Sequence, residues 1–212
     1  MNTQTHLLLA AALLARRGRP RAKAAVLAGA LMPDAGVLGL YAWAKATGVP
    51  DGQVWRVIYF AEPMQSVQAV FNSVPVYAAL LVVGLALGER AAATAPTMLG
   101  TGGSSTIGQF PWLALFALAA LVHIAGDLPV HVSDAHRHFW PLSDWRFMSP
   151  VSYWDPAHHG RIASALEALL GLALCTLLWR RFVAAWVRAA LVLAALLYVA
   201  VPLHHWLTFG GA

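Results

Sequence analysis

Three residues share a helical spacing that permits joint chemistry: His123, Asp127 and His131 stand at i, i+4 and i+8. At about 100° per residue they fall within roughly 80° of one helix face, so their side chains can share a ligand. Imidazoles and carboxylates suit a zinc-type divalent ion, and such an ion with an open coordination position makes a hydroxide nucleophile from bound water. The run around them is otherwise apolar. An Asp at the centre of an apolar span costs about 2.5–3.5 kcal/mol on insertion scales, so such residues usually face a bundle interior and mark function. Asp34, in Leu31-Met32-Pro33-Asp34, is a second such residue, and His6 opens another apolar run. The expected metal ligands are His6, Asp34, His123 and Asp127, with His131 next. The spacing singles out no carboxylate as general base.

Further polar residues can join a shared cavity. Gln68 and Asn72 form an i, i+4 amide pair, and the segment 132–160 concentrates Asp134, His136, His138, Asp155, His158 and His159 among tryptophans. Plainer roles compete. A histidine in a membrane helix often makes a helix-to-helix hydrogen bond, and His6 alone reads equally well that way. His204 and His205, beside Pro202 and Trp206, read as interfacial, and Glu167 as a structural residue pairing with a His or Arg in the bundle.

The elements that must position these groups are membrane spans. The 212 residues are 59% hydrophobic and 11% charged, against about a quarter charged in an average soluble domain. A bilayer-spanning helix needs roughly 20 mainly apolar residues, and about 24–44, 67–87, 111–131, 163–179 and 187–207 meet that. The run Leu7 to Ala15 is as short as a signal-peptide core, but Arg16, Arg17, Arg19, Arg21 and Lys23 follow it and no basic residue precedes it, the reverse of a secretory signal. It is expected as a retained short helix packed against its neighbours.

Basic residues orient the spans. With Arg16 to Lys23 cytoplasmic, alternation adds Arg90, Arg180, Arg181 and Arg188 to that side and leaves Lys45, Arg56, Arg137, Arg146 and Arg161 opposite. The net charge of +5 is then membrane-surface charge and implies no nucleic acid. Ala91 to Gln109, with Gly100 to Ser105 and Pro96, reads as a flexible cytoplasmic linker, and it lacks the Gly-Lys-Ser/Thr ending of a phosphate loop. Ala46 to Pro63, with Trp55, Tyr59 and Phe60, is expected along the outer interface. Asp155-Pro156 is a helix start, an N-cap carboxylate followed by proline at the first position. The single cysteine, Cys175, is a packing residue with no partner for an internal disulfide. In this arrangement the polar residues converge on one outward-opening cavity.

Thr5-His6-Leu7, Leu31-Met32-Pro33-Asp34 and His123-x-x-x-Asp127 together resemble the YdjM-like membrane-bound metal-dependent hydrolases of bacteria, over roughly residues 3–145. That family also carries a His-Arg-Gly-x-Thr-His-Ser motif before its next span. The corresponding stretch here is Val67-Gln68-Ala69-Val70-Phe71-Asn72-Ser73, in which both histidines are missing. His131, Asp134, His136 or His138 are the residues available to replace them. The string from His138-Phe139-Trp140-Pro141 through His159-Gly160 is similar to a subgroup of small proteobacterial membrane proteins, some labelled as CobQ-type cobalamin-biosynthesis proteins. An amidotransferase of that type needs a soluble nucleotide-binding domain and a reactive cysteine, and Cys175 in an apolar helix is unsuited to the task.

The sequence thus predicts an all-α polytopic transmembrane helix bundle, about five spans plus a short N-terminal helix. Residues 1–212 form a single integral membrane domain, with 132–160 a periplasmic His/Trp-rich loop within it. The resemblance implies a zinc-dependent hydrolase of the bacterial inner membrane acting on a lipid-linked or envelope substrate, with the bilayer as partner. A metal- or proton-handling transporter and a non-catalytic assembly or scaffold protein are the alternatives. The first is opposed by the scarcity of ionisable groups in the inner halves of the spans, and the second is supported by the two missing histidines.

Overall fold

The computed structural model describes residues 1–94 and 111–209, with side chains for 1–90 and 111–200. Of the expected linker Ala91 to Gln109, residues 91–94 belong to a helix instead and the rest lies outside the described residues, as do the side chains of His204, His205 and Trp206. Every regular element described is helical. In chain order these are α1 (Thr3–Leu14), α2 (Pro20–Leu31), α3 (Ala35–Thr47), α4 (Asp51–Gln53), α5 (Glu62–Phe71), α6 (Val74–Thr94), α7 (Trp112–Asp127), α8 (Gly160–Arg181) and α9 (Ala185–Phe209).

Four stretches are long and apolar enough to cross a membrane: Pro20–Thr47, Glu62–Arg90, Trp112–Val130 and Gly160–Arg181. They match four of the five expected spans, and the chain is a helical bundle of membrane-protein character. The fifth expected span falls on α9, 25 residues long, whose stretch Ala185–Ala200 is by itself a shorter apolar helix.

Two of these four stretches are broken, and both breaks have a local cause. Between α2 and α3 the chain tightens into a 3-10 turn at Met32–Asp34, where Pro33 has no N–H to continue the ladder. Between α5 and α6 it breaks at Asn72 and Ser73. Pro75 sits in the first turn of α6, where a missing N–H leaves no helical bond unmade. The freed groups are re-satisfied: Val74 N–H donates to the His138 carbonyl at 2.8 Å, and Ser73 Oγ donates to that of Trp140 at 2.5 Å. Irregular backbone at membrane depth is tolerated where protein covers it in this way.

The short helix α1 is about 18 Å long at 1.5 Å per residue, well under the roughly 30 Å of a bilayer core. It packs on α2, α7 and α8. Ala10 and Leu14 join Val26, Leu115 and Ala119, and Leu8 joins Leu174, Leu178 and Tyr198 of α8 and α9. The expectation of a short helix packed against its neighbours agrees with this position.

Helix α7 is the centre, packed on α2 and α6. Its crossing with α2 is close because position 29 is glycine: a Cβ there would stand 2.0 Å from the Phe116 carbonyl oxygen. Small residues at such crossings let helix backbones approach. Basic groups gather at one end of the bundle. Arg17 donates to the carbonyls of Arg180 and Arg181, and Arg181 to that of Ala12 at 2.5 Å. The other end carries the loop 131–159 and the α4 segment. There Val54–Ile58 forms a π-helical turn, with Trp55 and Phe60 exposed as expected of interfacial residues. Tyr59 departs from that expectation. It is buried with Leu40, Ala44 and Val54, because the π turn rotates it inward.

Candidate metal centre

Asp127, in the last turn of α7, is the point on which four elements converge. From the preceding turn, His123 places Nε2 3.0 Å from Asp127 Oδ2. From α1, His6 places Nε2 2.9 Å from Oδ1, with its ring stacked on that of His123 at 3.5 Å between centroids. His131 follows the 3-10 turn Leu128–Val130 and places Nε2 3.3 Å from the same Oδ1. The amino group of Met1 donates to Oδ1 at 2.6 Å. Asp34, at the break between α2 and α3, holds Oδ1 3.6 Å from His123 Nε2, while its Oδ2 accepts from Thr3 Oγ1 at 2.6 Å.

One ligand atom each from His6, His123 and Asp127 lies within 4.8 Å of the others. The three residues are 0%, 1% and 3% exposed. Two ligands on one zinc ion stand at most about 4 Å apart at bonds of 2.0–2.2 Å, so this set closes on an ion with small side-chain adjustments.

Proton positions on the rings favour the same assignment. His123 Nδ1 lies 2.6 Å from the Ala30 carbonyl oxygen. A carbonyl only accepts, so Nδ1 carries the ring proton and a neutral His123 has a bare lone pair on Nε2. That lone pair faces the carboxylate oxygens of Asp127 and Asp34, and Nε2 has no hydrogen-bond partner. Acceptors crowded together in a buried site repel unless a cation lies among them. His131 is held in the same way: its Nδ1 faces Asp134 Oδ2 at 2.9 Å, and that carboxylate also accepts from Trp154 Nε1 at 2.9 Å. A ring whose far nitrogen is tied to a carbonyl or carboxylate is the outer-shell arrangement of metal-binding histidines.

Charge in the adjoining loop follows from these contacts. Burial disfavours a charged His131, but its bonds to Asp127 and Asp134 outweigh that and raise it to about 9. Burial likewise works against ionised Asp134, and the hydrogen bond and charge of His131 overcome it, holding Asp134 at about 2. His136, buried and beside the His131 charge, is pushed down to about 3. It is therefore a neutral base with an unpartnered Nδ1.

The remaining expected cavity residues divide. Asn72 donates from Nδ2 to the Pro33 carbonyl at 3.1 Å, and Gln68 is buried beside it with both amide atoms unpartnered. His138 directs Nδ1 to the Asn72 carbonyl at 3.2 Å, and its ring stands 5.8 Å from that of His136. Asp134, His136, His138, Gln68 and Asn72 thus adjoin the cluster. Asp155 and His158 do not join it. Asp155 Oδ1 accepts from Ala157 N–H and Oδ2 faces His158 Nδ1 at 2.7 Å, so the pair is consumed in starting the turn before α8. His159 is exposed, outside the cluster.

The packing bears on two expectations. The side chains expected to line a cavity bond to one another in a polar knot. Its most accessible carboxylate is Asp34, with 21% of its side chain exposed. Glu167 pairs with no His or Arg among the described residues. Its Oε1 accepts from Thr5 Oγ1 and from Asn2 N–H, both at 2.6 Å, and so pins the start of α1. Sequence reasoning gave no role to Thr3, Trp154 and the Ala30 carbonyl, which hold the cluster from outside, or to Thr5 beyond its place in a motif. Thr3 and Thr5 stand on the N-terminal side of His6, close enough along α1 to share its end of the helix, the one signal available for them.

Comparison of the chain with protein-family models, with curated proteins and with solved structures finds no match in any of the three.

Proposed function

We propose that this chain is a membrane-embedded, metal-dependent hydrolase of the bacterial inner membrane, its polar end facing the periplasm, acting on a lipid-linked or envelope substrate. The observation that carries the reading is the buried Nε2 of His123, which faces two carboxylates and makes no hydrogen bond. His6, His123 and Asp127 would hold a zinc-type ion, with Asp34 and His131 completing or flanking it. Such an ion supplies Lewis acidity and lowers the pKa of bound water. Asp34, the most accessible carboxylate of the group, is the candidate to take a proton from that water. The Ala30 carbonyl and Asp134 fix the two imidazole orientations, and burial excludes bulk water.

A second reading rests on a different contact. The Met1 amino group and the charged His131 together neutralise Asp127 without any ion, as a polar knot in a non-catalytic scaffold would require. Metal analysis of gently detergent-purified protein separates the two. The hydrolase reading expects a stoichiometric divalent ion in the wild type, strongly depleted in Asp127→Asn, while the ion-free fold is as stable or more so because a costly buried carboxylate is gone. No bound ion, a silent Asp127→Asn and a loss of about 0.6–2 kcal/mol in Asp127→Leu, the scale of interhelical polar contacts, would establish the scaffold instead.

A further inference from the structure

A groove of about 460 Å³ lies along the start of α8, beside the cluster, which it touches through Met1. Its volume is that of a small-molecule site, and its lining is mainly apolar. Ile162, Leu166 and Leu170 form one wall at i, i+4 and i+8, and Ala163 is its floor. Those three wall residues are 62%, 62% and 40% exposed, on a helix long and apolar enough to cross a membrane. The open side of the groove therefore faces hydrocarbon and not water.

Polar residues share the lining: Met1, which donates its amino group to Asp127 Oδ1 at 2.6 Å, and Tyr153, whose ring stands 5.1 Å from the ring of His131. Glu167 lines the groove too, buried, with Oε2 unpartnered. Exposed His159 also lines the groove and exposed Arg161 follows two positions later at the start of the apolar stretch Gly160–Arg181, a cation placed for lipid phosphates.

We propose that this groove seats one hydrocarbon chain of a glycerophospholipid from the loop-side leaflet and so brings that lipid's polar linkages to the Asp127 cluster. The inference rests on the hydrolase reading and names its substrate class. A chain entering sideways needs no aqueous vestibule, which accounts for a reacting centre buried in a packed knot beside an apolar groove.

The test uses the full chain in phosphatidylglycerol vesicles in which one acyl chain carries a diazirine. After irradiation, adducts are expected to concentrate several-fold on 151–153 and 162–170 relative to Leu193 and Leu196 of α9, which are 60% and 59% exposed. Ala163→Trp fills the groove and should lose that enrichment. Leu166→Trp, at an already exposed wall position, should do the same if Ala163→Trp fails to fold. Leu169→Trp, 65% exposed and off the groove, should leave it unchanged. Adducts spread evenly over α8 and α9, or unaltered by both groove variants, overturn the proposal. Bound metal is measured in the same samples. Metal with evenly spread adducts overturns the groove and leaves the hydrolase reading standing. Groove-confined adducts on protein that binds no metal overturn the hydrolase reading and, with it, the lipid's role as substrate.

Discussion

His131 is the residue whose charge most directly joins the knot to the loop, since its ring lies between Asp127 and Asp134 as an imidazolium would. Its value is raised from 6.5 to about 9, so its contribution to stability is complete below 6.5 and is lost as pH rises through about 9. Asp134 is lowered from 3.8 to about 2, so its contribution is complete above 3.8 and is lost as pH falls through about 2. Chelator-treated protein is thus expected to hold both contributions between pH 3.8 and 6.5. The stability gap between wild type and His131→Gln should be widest there and shrink on the alkaline side. Thermal unfolding in detergent measures it, at roughly 2–4 °C per kcal/mol for a chain of this size. A gap that stays constant up to about pH 9.5 would mean that His131 does not bridge the two carboxylates as an imidazolium.

At the scale of elements, the site depends on how closely α2 approaches α7, since Ala30 can reach His123 only across that crossing. Gly29→Ala would put a methyl group 2.0 Å from the Phe116 carbonyl oxygen, a backbone atom that cannot rotate away. The helices must part. The expected cost is about 1–3 kcal/mol, the range for overpacking, together with weaker metal retention as the Ala30 carbonyl withdraws from Nδ1. Gly39→Ala is the control. A Cβ there meets nothing within 4 Å, and alanine should stabilise helix α3 by about 0.5–1 kcal/mol. Equal behaviour of the two variants in thermal unfolding would refute the close-crossing argument. The breaks at Met32–Asp34 and Asn72–Ser73 matter in the same way: each brings backbone carbonyls and polar side chains to the level of Asp127, where continuous helices would present only their sides.

For the whole molecule, the polar knot and the loop 131–159 lie at one end and the Arg17, Arg180 and Arg181 contacts at the other. The fourteen Lys and Arg side chains divide nine to five by the alternation of spans, with the larger group at the basic end. In the proposed orientation, reporter fusions within 97–105 should therefore be active in the cytoplasm, and those within 140–150 outside it. The reverse pattern would place the knot on the cytoplasmic side and remove the envelope substrate from the proposal.

The sequence by itself determined the helical class, four stretches long and apolar enough to cross a membrane, the short N-terminal helix and the i, i+4 geometry of His123 and Asp127. Each of these rests on composition or on a local period. Apolar length sets a span, and 3.6 residues per turn sets which neighbours share a face. His6 was singled out with Asp127 from the sequence, yet only the tertiary structure shows their contact across 121 positions, and the Ala30 carbonyl, which reaches His123 from 93 positions away, leaves no trace in local pattern. Asp155 and His158 looked like cavity residues by type and proximity in sequence, yet their bonds were spent on the turn before α8. Glu167 looked ready to pair with a charge, yet the nearest donors were Thr5 and the Asn2 backbone. Short-range periodicity is written along the chain, whereas the pairing of buried polar groups depends on which helices pack together, and that is settled only when the bundle closes.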